Sequence, residues 1–302
     1  MDEKSITDSY HNPRGTFTRL DTSRFRYKYL DLPYHTESED QKMDIYLPEQ
    51  GSKPYPAVVY IHGGGFEMGD RKYGHIAKLT EGLEKGYACV SISYRLSMEK
   101  VFPAAVQDVR NGIRYLRKHA EEYGIDPERI GVFGESAGGN LVSLLAMNPE
   151  EEVFDANVPE ELKGVSAHVA ACVDWFGVIE MASVLLQNEE NNIKPSHFTP
   201  DNCPESRYLG ESLLTVPKEW LAKTNPVNYI SERMCPILIE HGTGDYQVPV
   251  QQSQMLYRAI VEKMGTGRAE LFLLEGAVHE DPRFESDENM AAVWAFFNKY
   301  LK

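Results

Sequence analysis

The amino-acid sequence predicts an α/β fold: a mostly parallel central sheet with helices on both faces and a small lid inserted near one end. Three observations lead there. Short apolar runs rich in β-branched residues alternate with stretches of helical period from Pro56 to the C-terminus. A Gly-x-Ser-x-Gly, Gly134-Glu-Ser-Ala-Gly138, stands between one such run and one such helix. Glycine-rich turns follow two other runs directly, at Gly63–Gly65 and Gly242–Gly244. Open parallel sheets bind ligands at the carboxyl ends of their strands, which is where these turns fall.

Taken in order, residues 1–20 are polar and without period, and read as an N-terminal arm. Phe25–Leu32 and Lys42–Leu47 alternate enough for two edge strands, a hairpin joined by the acidic turn at Glu37–Gln41. Pro56–His62 is a buried strand, and helical signal follows across Tyr73–Lys85. Tyr87–Ser93 is the next strand. Val106, Val109, Ile113 and Leu116 then recur at helical spacing, with Pro103 near the helix start. Arg129–Phe133 is the strand before the serine motif, and Gly139–Met147 the helix after it. Ala167–Asp174 is another strand. From 178 to 233 the pattern breaks into short pieces rich in Asn, Pro, Glu and Ser, expected to form an insertion over one end of the sheet, a lid or pocket wall. Order returns with a strand at Cys235–His241, a helix around Gln251–Lys263 and a strand at Glu270–Leu274. Met290, Val293, Trp294, Phe297 and Leu301 mark a closing amphipathic helix.

Composition narrows the class. With 302 residues, 42% of them hydrophobic, one large domain spanning 1–302 suffices. The 46 acidic and 31 basic residues give a net charge of −15, which repels phosphate backbones and anionic membranes, so no nucleic-acid or membrane partner is expected. The first eight residues hold no apolar segment of a signal peptide, and the longest apolar runs are far shorter than a membrane span. Cys89, Cys172, Cys203 and Cys235 show no metal-like pairing, and the three in strand-like runs read as reduced core residues. A soluble cytoplasmic protein is expected.

The serine motif carries the chemistry. A serine on a tight strand-to-helix turn is lifted above the sheet edge, and side chains at the flanking glycines would collide with the neighbouring strand or helix. The turn also aims the Ala137 amide, at a helix N-terminus, at whatever Ser136 attacks. The stretch fails as a phosphate-binding loop, because Asn140 and Leu141 stand where lysine and a hydroxyl are needed.

A serine hydroxyl needs a base, and the base an orienting carboxylate. His279 lies in a loop between the last strand and the last helix, placed to swing over the sheet edge. Asp245 follows a buried strand in His241-Gly-Thr-Gly-Asp245. Asp174 is the rival acid at another strand end, where an aspartate also serves to fix a loop. His62 is expected to pin the glycine loop and His241 to serve structure. Glu280 and Asp281 read as solvated charges. His62-Gly-Gly-Gly-Phe66 offers the amides of Gly64 and Gly65 as further oxyanion donors beside Ala137. Phe66, Trp175 and Phe176 are candidate aromatic walls of a substrate pocket.

His62–Phe66 paired with Gly134–Gly139 resembles the α/β-hydrolase esterases of the hormone-sensitive-lipase-like group. Tyr94-Arg-Leu96, Phe102–Asp108 and Asp126–Gly131 are similar to stretches of those enzymes. Asp174-Trp-Phe-Gly177 and Asn225–Ile230 look more like the bacterial branch with feruloyl and acetyl-xylan esterases. The likeness covers roughly residues 25–300. The order Ser136, Asp245, His279 is the order of that fold. One departure is Glu280-Asp-Pro after the histidine, which points to an acidic pocket rim.

The expectation is a serine carboxylic-ester hydrolase acting on short-chain acyl esters of small molecules, acetylated or feruloylated sugars among them, with no metal or organic cofactor. The alternatives are a serine peptidase on the same scaffold and a non-catalytic hydrolase-like binding protein. Nothing in the residues fixes the oligomeric state.

Overall fold

The structure is a computed structural model that describes residues 19–191 and 198–302, together with the backbone of 11–12 and 15–16. The arm expected at 1–20 and part of the insertion, residues 192–197, therefore lie largely outside the described residues.

The main sheet has eight strands: β1 Tyr27–Pro33, β2 Lys42–Leu47, β3 Tyr55–Ile61, β4 Ala88–Ile92, β5 Ile125–Glu135, β6 Ala171–Trp175, β7 Ile237–Gly242 and β8 Ala269–Leu274. Their order across the sheet is β8-β7-β6-β5-β3-β4-β2-β1. The β1–β2 and β2–β4 pairs are antiparallel, and the pairs from β4 through β8 are parallel. Strands β3, β4, β6 and β7 are buried along their whole length, as both-face coverage requires. β1 alternates between exposed and half-buried residues, the pattern of an edge.

The helices are α1 Ile76–Leu79, α2 Ala104–Lys118, α3 Ala120–Tyr123, α4 Ala137–Met147, α5 Val184–Glu190, α6 Pro204–Leu209, α7 Lys218–Ala222, α8 Gln251–Met264 and α9 Asp287–Leu301. The period of two along each strand divides the core between two faces. Ile45, Val59, Ile61, Val132 and Ile239 pack with α2, α4 and α8. Tyr46, Val58, Phe133, Val173 and Leu238 pack with α1 and α9. α4 is mostly apolar and buried all round, Asn140 and Ser143 included, because it packs against the insertion as well as along the sheet.

Two expected elements come out shorter. The helix read across 73–85 is one α-turn tightened into a 3-10 turn, Thr80–Leu83. Gly82 weakens it, and a Cβ there would sit 2.4 Å from the Trp294 ring, so close packing against α9 sets this segment. The strand read from Ala167 starts at Ala171, because the Arg117 guanidinium takes the carbonyls of Ser166 and His168 from outside the ladder.

All four cysteines are free and buried. Among the described residues, no helix is long and apolar enough to cross a membrane.

Candidate active site

β5 delivers Ser136 to the carboxyl end of the sheet, where it adopts φ 54° and ψ −119°. A non-glycine residue there is strained and has to be held. The Ser136 amide donates to the Trp175 carbonyl at 2.9 Å, and its carbonyl accepts from Asn140 at 3.2 Å. The flanking glycines are required by space. A Cβ on Gly138 would lie 2.1 Å from the Ile61 carbonyl oxygen, and one on Gly134 2.6 Å from that of Gly138.

His279 and Asp245 meet this serine from the loops after β8 and β7. The His279 Nε2 lies 3.1 Å from the Ser136 Oγ, and its Nδ1 2.7 Å from the Asp245 Oδ2. The other Asp245 oxygen accepts the amides of Gln247 and Val248, at 2.8 and 2.9 Å. Burial alone would raise this carboxyl, but His279, His241 and the hydrogen bonds hold it well below the usual carboxylate range. Burial works against a charged His279, and the Asp245 carboxylate outweighs it, so the imidazole sits above the ordinary histidine value. Phe176 packs edge-on to the His279 ring, centroids 4.6 Å apart, and limits its swing.

His241 does more than the sequence suggested. Its Nδ1 lies 2.6 Å from the Ser253 Oγ, and its Nε2 lies 2.9 Å from the Val248 carbonyl and 3.3 Å from the Asp245 Oδ2. It is a second imidazole against the acid. Among the described residues, no histidine hydrogen-bonds to Asp174. Asp174 accepts the Ser143 hydroxyl and the Gly177 amide, each at 2.9 Å, and burial pushes it up to about 7. It fixes the turn that follows β6.

The glycine loop after β3 is fastened from behind. His62 Nδ1 contacts the Gly63 carbonyl at 2.9 Å, and its ring stacks on Tyr94 at 4.3 Å. The Tyr94 hydroxyl donates to the His62 carbonyl, and the neighbouring Arg95 forms a bidentate pair with buried Asp108. Gly64 and Gly65 have φ of 100° and 61°, which glycine adopts without strain. Among the described residues, no acceptor takes the amides of Gly64, Gly65 or Ala137.

Glu135, which the sequence reading passed over, takes the Gly63 amide at 2.8 Å and the Tyr60 hydroxyl at 2.7 Å through one oxygen. Burial pushes its carboxyl up to about 7. The available signal was its position, an acid wedged between a buried strand and the serine. It ties the serine turn to the glycine loop.

A cavity of about 640 Å³ opens on Ser136 and His279, lined by Gly65, Phe66, Glu205, Asn188 and apolar residues of the 178–233 segment. That segment reaches the glycine loop directly. Tyr208 stacks on Phe66 with centroids 3.9 Å apart, and Arg207 pairs with Glu67. Of the three candidate pocket aromatics, Phe66 lines the cavity. Trp175 does not, since it shares the face of Ala171 and Val173 and packs against Phe133 and Phe284. Phe176 also lies behind the wall, against His279 and Phe284.

The acidic rim comes from another source than expected. Glu280 faces a small hollow behind the glycine loop, beside Tyr60 and Glu135. Asp281 is buried, where it caps the Pro282–Glu285 turn and pairs with Arg283, which holds its carboxyl below the usual range. Among the described residues, the acidic side chain in the cavity is that of Glu205, whose carboxyl burial raises above its ordinary value.

The BD-FAE family model matches residues 43–260. A truncated carbohydrate esterase from gut microbiota superimposes with a TM-score of 0.79 at 28% identity, over 93% of this chain and 99% of that one. A bifunctional GH43-CE protein of Bacteroides eggerthii gives 0.80 at 29% identity, over 91% of this chain and 35% of its own. A probable isoprenylcysteine alpha-carbonyl methylesterase of Arabidopsis thaliana is 25% identical over 267 residues, 84% of this chain and 53% of that protein. The chain spans about half the length of the curated relatives it matches.

Proposed function

The chain belongs to the BD-FAE family, and on that premise we propose that it is a serine carboxylic-ester hydrolase of the α/β-hydrolase fold. The observation that carries this reading is the continuous hydrogen-bonded line from Ser136 through His279 to Asp245, opening on a cavity large enough for a small ester.

In this mechanism Ser136 attacks the acyl carbon while His279 takes its proton. Asp245 holds the imidazole in the tautomer that presents Nε2 to the serine and stabilises the imidazolium that forms. The amides of Gly64, Gly65 and Ala137 receive the oxyanion, since no protein acceptor competes for them among the described residues. His279 then protonates the leaving alcohol, and water repeats the sequence on the acyl-enzyme. Glu135 and Tyr94 keep the glycine loop in register with the serine turn.

Small acyl groups on sugar or aryl alcohols are the substrates this reading favours. The likeness to proteins described as carbohydrate esterases supports it, as does a cavity with both apolar and polar walls. The test is turnover of nitrophenyl acetate beside an aminoacyl amide, with Ser136→Ala as blank. Ester turnover that disappears in the alanine variant is the expected result. Faster cleavage of the amide marks a peptidase, and turnover of neither marks a binding protein.

A further inference from the structure

The glycine loop after β3 turns through three consecutive residues with positive φ: Gly64 at 100°, Gly65 at 61° and Phe66 at 63°. Glycine takes such angles freely, so Gly64 and Gly65 also offer no resistance to leaving them. Phe66 differs. A bulky residue in the left-handed region is strained, and its relaxed conformation has a negative φ. Turning Phe66 back would rotate the peptide that joins it to Gly65, and the two glycines, free to turn, would follow. Their amides are the ones that the proposed mechanism aims at the oxyanion. Rigidity has to come from outside the glycines.

It comes from α6 of the 178–233 segment. The Phe66 ring, 1% exposed, lies on the Tyr208 ring with centroids 3.9 Å and planes 12° apart. Pro204, the first residue of the same helix, covers Gly65, where an added Cβ would stand 3.3 Å from the Pro204 Cβ. Arg207 pairs with Glu67, the residue after Phe66. The helix has only six residues, but the 97–102 loop fixes its position. The Phe102 amide donates to the Tyr208 carbonyl at 2.7 Å, and the Phe102 ring meets the Tyr208 ring edge-on at 5.5 Å. The Ser97 amide donates to the Phe66 carbonyl at 2.8 Å. One loop thus grips both sides of the stack. The Tyr208 hydroxyl has no hydrogen-bond partner among the described residues, so the ring makes the contact.

We propose that Tyr208 is a positioning residue for the reaction: stacked on Phe66, it holds the glycine loop in the conformation that presents the Gly64 and Gly65 amides to the oxyanion. The proposal rests on the ester-hydrolase reading of Ser136 and gives the inserted segment a part in catalysis beyond walling the cavity. Tyr208 does not line that cavity, so its effect passes through Phe66. Oxyanion donors act most strongly once charge has developed on the carbonyl oxygen. Their displacement therefore lowers kcat and leaves KM nearly unchanged.

The test is steady-state turnover of nitrophenyl acetate, with melting curves to follow folding. Tyr208→Leu is expected to lower kcat about 10²-fold, the scale of a misplaced oxyanion donor, with KM changed less than about 3-fold. Tyr208→Phe keeps the ring and is expected to retain kcat within about 3-fold, since the hydroxyl it removes is unpaired. Tyr208→Met, whose flexible side chain refills the space without a flat ring, carries the test if the leucine variant does not fold. Phe66→Leu removes the other half of the stack, and the double variant with Tyr208→Leu is expected to lose about as much as the worse single one. Trifluoroacetophenone adds a readout that a loss of stability would not move. Its adduct with Ser136 carries the oxyanion, so its inhibition constant is expected to rise by the factor by which kcat/KM falls. Unchanged kcat in a folded leucine or methionine variant overturns the proposal, as do a change confined to KM, losses that multiply in the double variant, or equal losses in Tyr208→Phe and Tyr208→Leu. No ester turnover in the unaltered chain overturns the hydrolase reading and the proposal with it, whereas turnover that is indifferent to Tyr208 overturns the proposal alone.

Discussion

Asp174 and Asp245 stand at the carboxyl ends of neighbouring parallel strands, and both are buried, at 0% and 3% exposure. Burial should raise either carboxyl. Asp174 follows that rule and reaches about 7, because among the described residues it receives one hydroxyl and one amide. Asp245 is driven the other way, with two amides on one oxygen and two imidazoles against the other. The same residue at the same depth thus holds a loop in one place and a charge in the other. What distinguishes them is the pair of imidazoles, His279 and His241, that faces Asp245, where Asp174 meets only a hydroxyl and an amide among the described residues. The Gly242–Gly244 turn curls back so that the chain after Asp245 points its amides inward, and a Cβ on Gly242 would lie 2.2 Å from the Ala277 carbonyl oxygen of the loop that carries His279.

The largest expected effect separates the two acids directly. Asp245→Asn is expected to lower kcat by up to ~10⁴, the cost of presenting the wrong tautomer. Asp174→Asn is expected to lower it by less than about 10-fold, since it touches no reacting group. Steady-state kinetics on nitrophenyl acetate, with melting curves alongside, check both. If the two variants exchange ranks with melting points unchanged, Asp174 is the acid.

Glu135 extends the comparison to a third buried carboxyl, one that acts through the glycine loop. Glu135→Leu removes the acceptor of the Gly63 amide and is expected to lower kcat by about 10²-fold, the scale of a mispositioned donor. KM is expected to move less, and Glu135→Gln to restore most of kcat. Equal losses in the leucine and glutamine variants would show that the hydrogen bond to Gly63 does not matter.

The pH profile sharpens the account of Asp245. In the proposed mechanism His279 has to be neutral to accept the serine proton, and the aspartate raises its value above the ordinary ~6.5 of a histidine. So kcat/KM is expected to fall as pH drops, about tenfold per unit, with its midpoint above that value. In Asp245→Asn the midpoint moves to lower pH. A flat profile down to pH ~4 would mean that the base is not a histidine.

The smallest expected effect is on stability and has opposite signs at the two acids. Asp174 is raised in the folded state, so the stability it permits is full below the unfolded value of ~3.9 and is lost as pH rises through about 7. Asp245 is lowered, so its contribution is present above ~3.9 and lost as pH falls below it. Melting temperature of Asp174→Asn relative to the unaltered chain is therefore expected to improve between pH 5 and pH 8 by several degrees, ~2–3 kcal/mol at the ~1.4 kcal/mol per pH unit that applies up to about 7. No pH dependence in that difference would mean that Asp174 is not held protonated.

These comparisons also show what a sequence makes legible. Ser136 was readable because its backbone conformation demands particular neighbours, Gly134 and Gly138, in a particular place. The meeting of Asp245 and His279 with Ser136 was readable because each lies just past a strand end, in the order the topology imposes. The sheet followed from apolar runs whose burial leaves few other arrangements. Trp175 was misplaced although the period of two contained the answer, since it shares a face with Ala171 and Val173. The roles of Asp281 and His241 depend on hydrogen bonds to residues a few positions away, and composition does not show where a turn closes. Glu205 lies in a segment with no period at all. Its place in the cavity is set by contacts between α6 and the glycine loop, Tyr208 on Phe66 and Pro204 against Gly65. Such contacts join residues some 140 positions apart in the chain and leave no local trace.

The central claim is that Ser136 is the nucleophile and that Asp245, not Asp174, supports its base. An organophosphate such as diethyl nitrophenyl phosphate reads this in one experiment, by mass spectrometry of the labelled chain and its peptides over time. The account predicts a single adduct on Ser136, formed at similar rates in the unaltered chain and in Asp174→Asn, far more slowly in Asp245→Asn, and not at all in Ser136→Ala. An adduct on another serine, or labelling slowed by Asp174→Asn and not by Asp245→Asn, would contradict it.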